Sequence, residues 1–221
     1  MSAFLHILEN EVQLIALSFL TTVYILRLIW IFRFKSSAER TFPAGSARAG
    51  IAYSMMNIAM PWAMESVRKK PWFYVQFVIF HLGVLAAISA TFIIPYYPAL
   101  FKIKIIVRLF QIGVGAACVV GIIRLLRRMT NPGIRLISTA DDYFSLIMMI
   151  FFFAAGFFAI PNQYEQSELP LITFFGLTTF FLLYVPFSKI SHYLYYPFTR
   201  FFLGRTMGHR GVYSGKKKKK S

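Results

Sequence analysis

Residues 72–92, WFYVQFVIFHLGVLAAISATF, run without a formal charge and hold one histidine, His81. At 1.5 Å per residue, about 20 apolar residues cross a hydrocarbon core about 30 Å thick, so this stretch predicts a transmembrane helix. A second stretch, FFLLYVPFSKISHYLYYPF at 180–198, brings an apolar segment to its end on His192. An imidazole at membrane depth is costly unless something holds it, which makes each of these residues a candidate functional group. Two such groups on separate helices suit an iron porphyrin held by two axial nitrogens.

The rest of the chain has the same character. Of its 221 residues 57% are hydrophobic, 18% aromatic and only 14% charged, too apolar for a soluble domain of this length. Five segments are long enough to span, at approximately 12–34, 72–96, 103–126, 143–161 and 170–192, which predicts an all-α bundle of five transmembrane helices. MSAFLHILENEVQ carries two glutamates and no basic residue ahead of the first apolar run, so the first span is expected to be retained. The single cysteine, Cys118, excludes disulfides and thiolate clusters within the chain.

The formal net charge is +16, and its distribution reads as orientation rather than nucleic-acid binding. Arg33, Lys35, Arg40, Arg48, Arg68, Lys69 and Lys70 lie between spans one and two. Arg124, Arg127, Arg128 and Arg135 lie around the connection between spans three and four, and nine more basic residues run from Lys189 to Lys220. The opposite side has Lys102 and Lys104. The positive-inside rule then predicts an outer N-terminus and a cytoplasmic C-terminus, with the basic face drawn to anionic lipids.

The sequence predicts one domain over residues 1–208, with an interfacial helix near 50–66 that turns Met55, Met56, Met60, Trp62 and Met64 towards lipid or a partner. The basic tail at 209–221, ending in GKKKKKS, reads as disordered. Asn131-Pro132-Gly133 predicts a turn, and Ser138 or Thr139 followed by Asp141 and Asp142 predicts the capped start of span four. From a helix start at Trp72, His81 lies about 14 Å along its axis; from Pro170, His192 lies about 33 Å along, near the cytoplasmic boundary. Gly83 would let a flat macrocycle approach the helix. Arg124, Arg128 and Lys189 are candidates for contacts with its propionates or with an acidic partner.

In three ordered blocks the chain resembles the cytochrome b, or gamma, subunit of respiratory nitrate reductase and its relatives in sulfate reducers and methanogens. They are Phe80-His81-Leu82-Gly83; Arg127-Arg128 through Asn131-Pro132 to Arg135, Thr139 and Asp141; and Pro186-Phe187-Ser188-Lys189 followed by His192. The resemblance implies that His81 and His192 are axial ligands of the haem nearer the cytoplasm. The family's second haem uses histidines at the positions occupied here by Thr91 and Phe174, so a single haem b is expected. Lys102 matches a lysine near the family's quinol, and menaquinone is a possible partner. The resemblance further implies an electron-transfer subunit in a bacterial or archaeal cytoplasmic membrane, not an enzyme by itself. Its partners would be a cytoplasmic iron-sulfur protein, other membrane subunits and a multihaem periplasmic cytochrome. The rival is a haem-free structural or anchoring subunit of such a complex. A small transporter would show an internal repeat, and none is visible.

Overall fold

Backbone amides in hydrocarbon have no water to bond, so a chain of this composition satisfies them internally as helices. The computed structural model describes residues 1–34, 39–60, 62 and 65–212. The fold is 84% helix, with no strand among the described residues. In chain order the main helices are α1 (Ala3–Arg33), α2 (Ala47–Ala59), α3 (Pro71–Tyr96), α4 (Lys104–Thr130), α5 (Ala140–Ala159), α6 (Leu169–Tyr184) and α7 (His192–His209). Five of them, α1, α3, α4, α5 and α6 with its 3-10 extension to Phe187, are long and apolar enough to cross a membrane. Ile15, Ile112 and Phe158 are 71%, 67% and 67% exposed, an outer surface suited to lipid.

The chain divides into two compact units where the sequence predicts one domain. The first comprises Met1–Leu28 with Val75–Ile190; the second comprises Ile29–Tyr74 with Ser191–Ser221. In the first, the core is aromatic. Phe152 stacks on Phe174 with centroids 5.2 Å apart, and Phe153 meets Phe80 edge-on at 5.2 Å. Between α3 and α4 the helices touch at Gly83, where an added Cβ would collide with the Ala117 methyl and lie 2.9 Å from the Gly113 carbonyl.

The second unit is built on the crossing of α2 and α7. Small residues recur at four-residue spacing on both helices, Ser46, Gly50 and Ser54 on one side and Gly204 and Gly208 on the other, so the backbones approach as a GxxxG-type pair does. A Cβ on Gly208 would lie 2.8 Å from the Gly50 Cα. Ser54 Oγ donates to the Arg200 carbonyl at 2.7 Å, and Arg200 Nε donates back to the Ser54 carbonyl at 3.1 Å. The stretch near 50–66, where the sequence predicts an interfacial helix, comprises α2, which ends at Ala59, and the start of a turn at Glu65–Arg68. Met55, Met56 and Trp62 are exposed, while Pro61 and Met64 lie outside the described residues.

Three boundaries differ from the sequence reading. Helix α1 begins at Ala3 rather than near residue 12, because Leu8–Val12 forms a π-helical turn that buries Glu9 instead of leaving it in a polar flank. The fifth span does not run to residue 192. Pro186 lacks an N–H and crowds the preceding turn, so the α-helix gives way to a 3-10 turn, Ser188 is extended and α7 starts afresh at His192. The expected tail is ordered at its start: the His209 Nε2 lies 2.8 Å from the Thr41 carbonyl, and Arg210 pairs with Glu39 at 2.9 Å. Residues 213–221, with the lysine run, lie outside the described residues.

Candidate functional site

His81 sits about 15 Å along α3 from Pro71, counting 1.5 Å per residue, and its side chain is exposed on the helix surface. Its Nδ1 lies 2.8 Å from the carbonyl of Phe77, one turn earlier. A carbonyl can only accept, so Nδ1 carries the proton and, in the neutral ring, the lone pair is on Nε2. The Phe77 ring lies over the imidazole with centroids 4.0 Å apart. Gly83 is two positions on, about 200° round the helix, and faces α4. The space that its missing side chain leaves is filled by Ala117, so in this fold Gly83 serves helix packing.

Arg124 of α4 places its guanidinium 5.2 Å from the centre of the Phe80 ring, and Phe80 in turn meets His81 at 6.1 Å. Arg124 and His81 thus share Phe80 as a neighbour. Arg128 and Lys189 converge elsewhere, on Asp142. Lys189 Nζ donates to Asp142 Oδ2 at 3.0 Å and to Thr139 Oγ1 at 2.8 Å, and Arg128 lies 3.7 Å from the same carboxylate while donating to Ser138 Oγ at 2.7 Å. Asp142 also accepts the Thr139 amide at 2.8 Å, closing a capping box at the start of α5 as the sequence predicts, with Thr139 as the cap. Any propionate held by Arg128 or Lys189 would share them with this carboxylate. Asp141 has its own partner, the Tyr184 hydroxyl at 2.5 Å. Asn131 caps a short helix, Pro132–Leu136, where the sequence predicts a turn.

His192 belongs to the second unit, as the first residue of α7 and exposed, with the Tyr193 ring 6.4 Å away. At the two positions where the resembling family has further histidines, Phe174 is fully buried against Phe152, and Thr91 turns its hydroxyl onto the Ile88 carbonyl at 2.7 Å. No cluster of three or more histidine, cysteine, aspartate or glutamate side chains that could hold a metal ion occurs among the described residues.

Lys102 lies at the other end of the first unit, on a 3-10 turn (Pro98–Lys102) at the mouth of a cavity of about 530 Å³. The wall opposite is the 161–166 loop, where Asn162 takes a left-handed conformation, φ 52°, a geometry asparagine tolerates well. Glu9 lines the cavity and is 6% exposed. Sequence reasoning passes over it as part of a polar N-terminal flank. The available signal was its spacing: Glu9 and Gln13 stand four residues apart on one helix, and Gln13 donates to the Phe175 carbonyl at 3.0 Å and Thr179 Oγ1 at 2.8 Å, leaving its own buried oxygen without a hydrogen bond.

No protein family matches the chain. The chain is similar to a protein of Nitratidesulfovibrio vulgaris (strain Hildenborough), with 25% identity over 162 residues, which covers 70% of this chain and 70% of that protein.

Proposed function

We propose that this chain is the membrane cytochrome b subunit of a respiratory redox complex, holding one haem b through His81 and His192. The observation that carries the reading is the hydrogen bond from His81 Nδ1 to the Phe77 carbonyl. A metal-ligating histidine commonly donates its other ring N–H to a carbonyl, which fixes the tautomer and raises the basicity of the ligating nitrogen. In the same reading His192 is the second ligand, and Arg124, held over Phe80, sets a positive charge beside the His81 end of the site. When bound, the haem would supply a one-electron carrier whose potential follows from ligation, burial and nearby charge. The chain's own work is to orient the two imidazoles and to keep their surroundings apolar.

With the N-terminus outside and the C-terminus in the cytoplasm of a bacterial or archaeal cell, electrons would pass between the quinone pool, or membrane and periplasmic partners, and a cytoplasmic iron-sulfur protein. Arg124, Arg127 and Arg128 at the C-terminal end of α4 favour an acidic docking face and anionic lipid there. The test is haem content per purified chain, with the reduced-minus-oxidised spectrum, for the wild type, His81→Ala and His192→Ala. One haem per wild-type chain and loss of the low-spin b-type signal in each variant are expected. Full bis-histidine spectra in both variants would overturn the ligand assignment, and no haem in the wild type would favour the anchoring-subunit reading.

A further inference from the structure

The cavity behind Lys102 has no part in holding the haem, and while the Met1 ammonium on its lining pairs with Glu168 at 3.8 Å, its Glu9 and Lys102 charges have no direct partner among the described residues. Glu9 forms no hydrogen bond or ion pair with another described residue; His6, one turn earlier, and Glu168 act on it only through space. Lys102, exposed at the mouth, likewise meets no carboxylate at ion-pair distance among the described residues. Glu165 stands on the rim, and Ile94 and Phe101 form an apolar wall. Glu9 is 6% exposed and lines the cavity, so its carboxylate is disfavoured as an anion there unless a cation or donor enters to meet it. The volume lies within the range of small-molecule sites.

The complementary ligand carries an ammonium with N–H donors for Glu9, an anionic group for Lys102 and an apolar body for the Ile94 and Phe101 wall. A neutral quinone would leave both charges uncompensated. A glycerol headgroup brings no cation, and a choline headgroup has no N–H to donate. The cavity is lined from the ends of helices long and apolar enough to cross a membrane, which in a bilayer about 30 Å thick would stand at the level of the headgroups. We propose that it is a binding site for an ethanolamine phospholipid, whose primary ammonium pairs with Glu9 and whose phosphate pairs with Lys102.

The site is tested on the full chain reconstituted in nanodiscs of phosphatidylglycerol alone, or mixed with phosphatidylethanolamine or with phosphatidylcholine. Lipid retained on extraction is read by native mass spectrometry, together with the melting temperature. Phosphatidylethanolamine should be retained about tenfold over the other two, as a charge-assisted hydrogen bond implies, and should raise the melting temperature. Glu9→Gln should abolish that preference and Lys102→Gln should weaken it, with haem content unchanged in both, so that failure here is distinct from failure of the electron-relay reading. Equal retention of phosphatidylethanolamine and phosphatidylcholine by the wild type would overturn the inference, and that comparison needs no variant to fold. So would an unchanged preference in Glu9→Gln, or retention of a quinone at this site in place of lipid.

Discussion

Replacing Asp142 tests whether the junction of α4, α5 and the Lys189 turn is held by a helix cap or by its charges. The carboxylate accepts the Thr139 amide at 2.8 Å and the Thr139 hydroxyl at 2.9 Å, and meets Lys189 at 3.0 Å. Loss of an N-terminal cap interaction costs about 1 kcal/mol. The Lys189 side chain is 57% exposed, so water screens that pair and its share is about 0.5 to 1 kcal/mol. Arg128, at 3.7 Å, adds little. Asp142→Ala should therefore lower the unfolding free energy by about 2 kcal/mol, whereas Asp142→Asn keeps an acceptor for the cap and should cost about half as much. The assay is SDS-induced unfolding from mixed micelles followed by circular dichroism, with Lys189→Ala completing a double-mutant cycle whose coupling should be about 0.5 to 1 kcal/mol. The reasoning fails if Asp142→Asn is as damaging as Asp142→Ala, or if Asp142→Ala costs less than about 0.5 kcal/mol.

Three further outcomes follow from the geometry. Gly208→Val should destabilise the α2–α7 crossing by about 3 kcal/mol or more, since its Cβ meets backbone rather than a movable side chain, and hydrogen exchange should accelerate in both helices. Gly176→Ala, where nothing lies within 4 Å, should instead be neutral or stabilising by up to about 1 kcal/mol. Glu168 is the other test: hydrogen bonds from the Ser2 hydroxyl and amide hold its carboxyl below the usual carboxylate range. Its contribution is therefore complete above the unfolded-state value and is lost as pH falls through the lower folded value. The Leu5 amide, bonded to Ser2 Oγ at 3.2 Å, should then gain exchange, relative to its intrinsic rate, in acid but not at neutral pH, and Glu168→Gln should remove the difference.

The spanning helices were legible because hydrocarbon demands long unbroken apolar runs, and the start of α5 because Thr139 and Asp142 carry a cap whose spacing is local. What escaped depends on tertiary contact. Glu9 reads as polar flank, since nothing in the sequence announces that a π-helical turn and the 161–166 loop will enclose it. Helix α7 carries Pro197, Arg200 and Arg205, so an apolar-length criterion passes over it. Its Gly204-x-x-x-Gly208 pattern, set against Ser46-x-x-x-Gly50-x-x-x-Ser54, was the usable signal, and it has meaning only as a pair. The candidate ligands were named from residue type, their place in apolar segments and the resemblance in the blocks around them; the tautomer of His81 required coordinates, because it rests on where the Phe77 carbonyl points.

His81 and Gly83 share one helical turn yet look in nearly opposite directions, one outward and one into α4. The two duties of this segment can therefore drift independently. A descendant could exchange the imidazole for another side chain, and so give up the proposed ligand, without disturbing the seam between α3 and α4. A bulkier residue at 83 would instead cost the bundle its fit whatever stood at 81. Persistence of the glycine among related chains would thus report on assembly, and persistence of the histidine alone would report on chemistry.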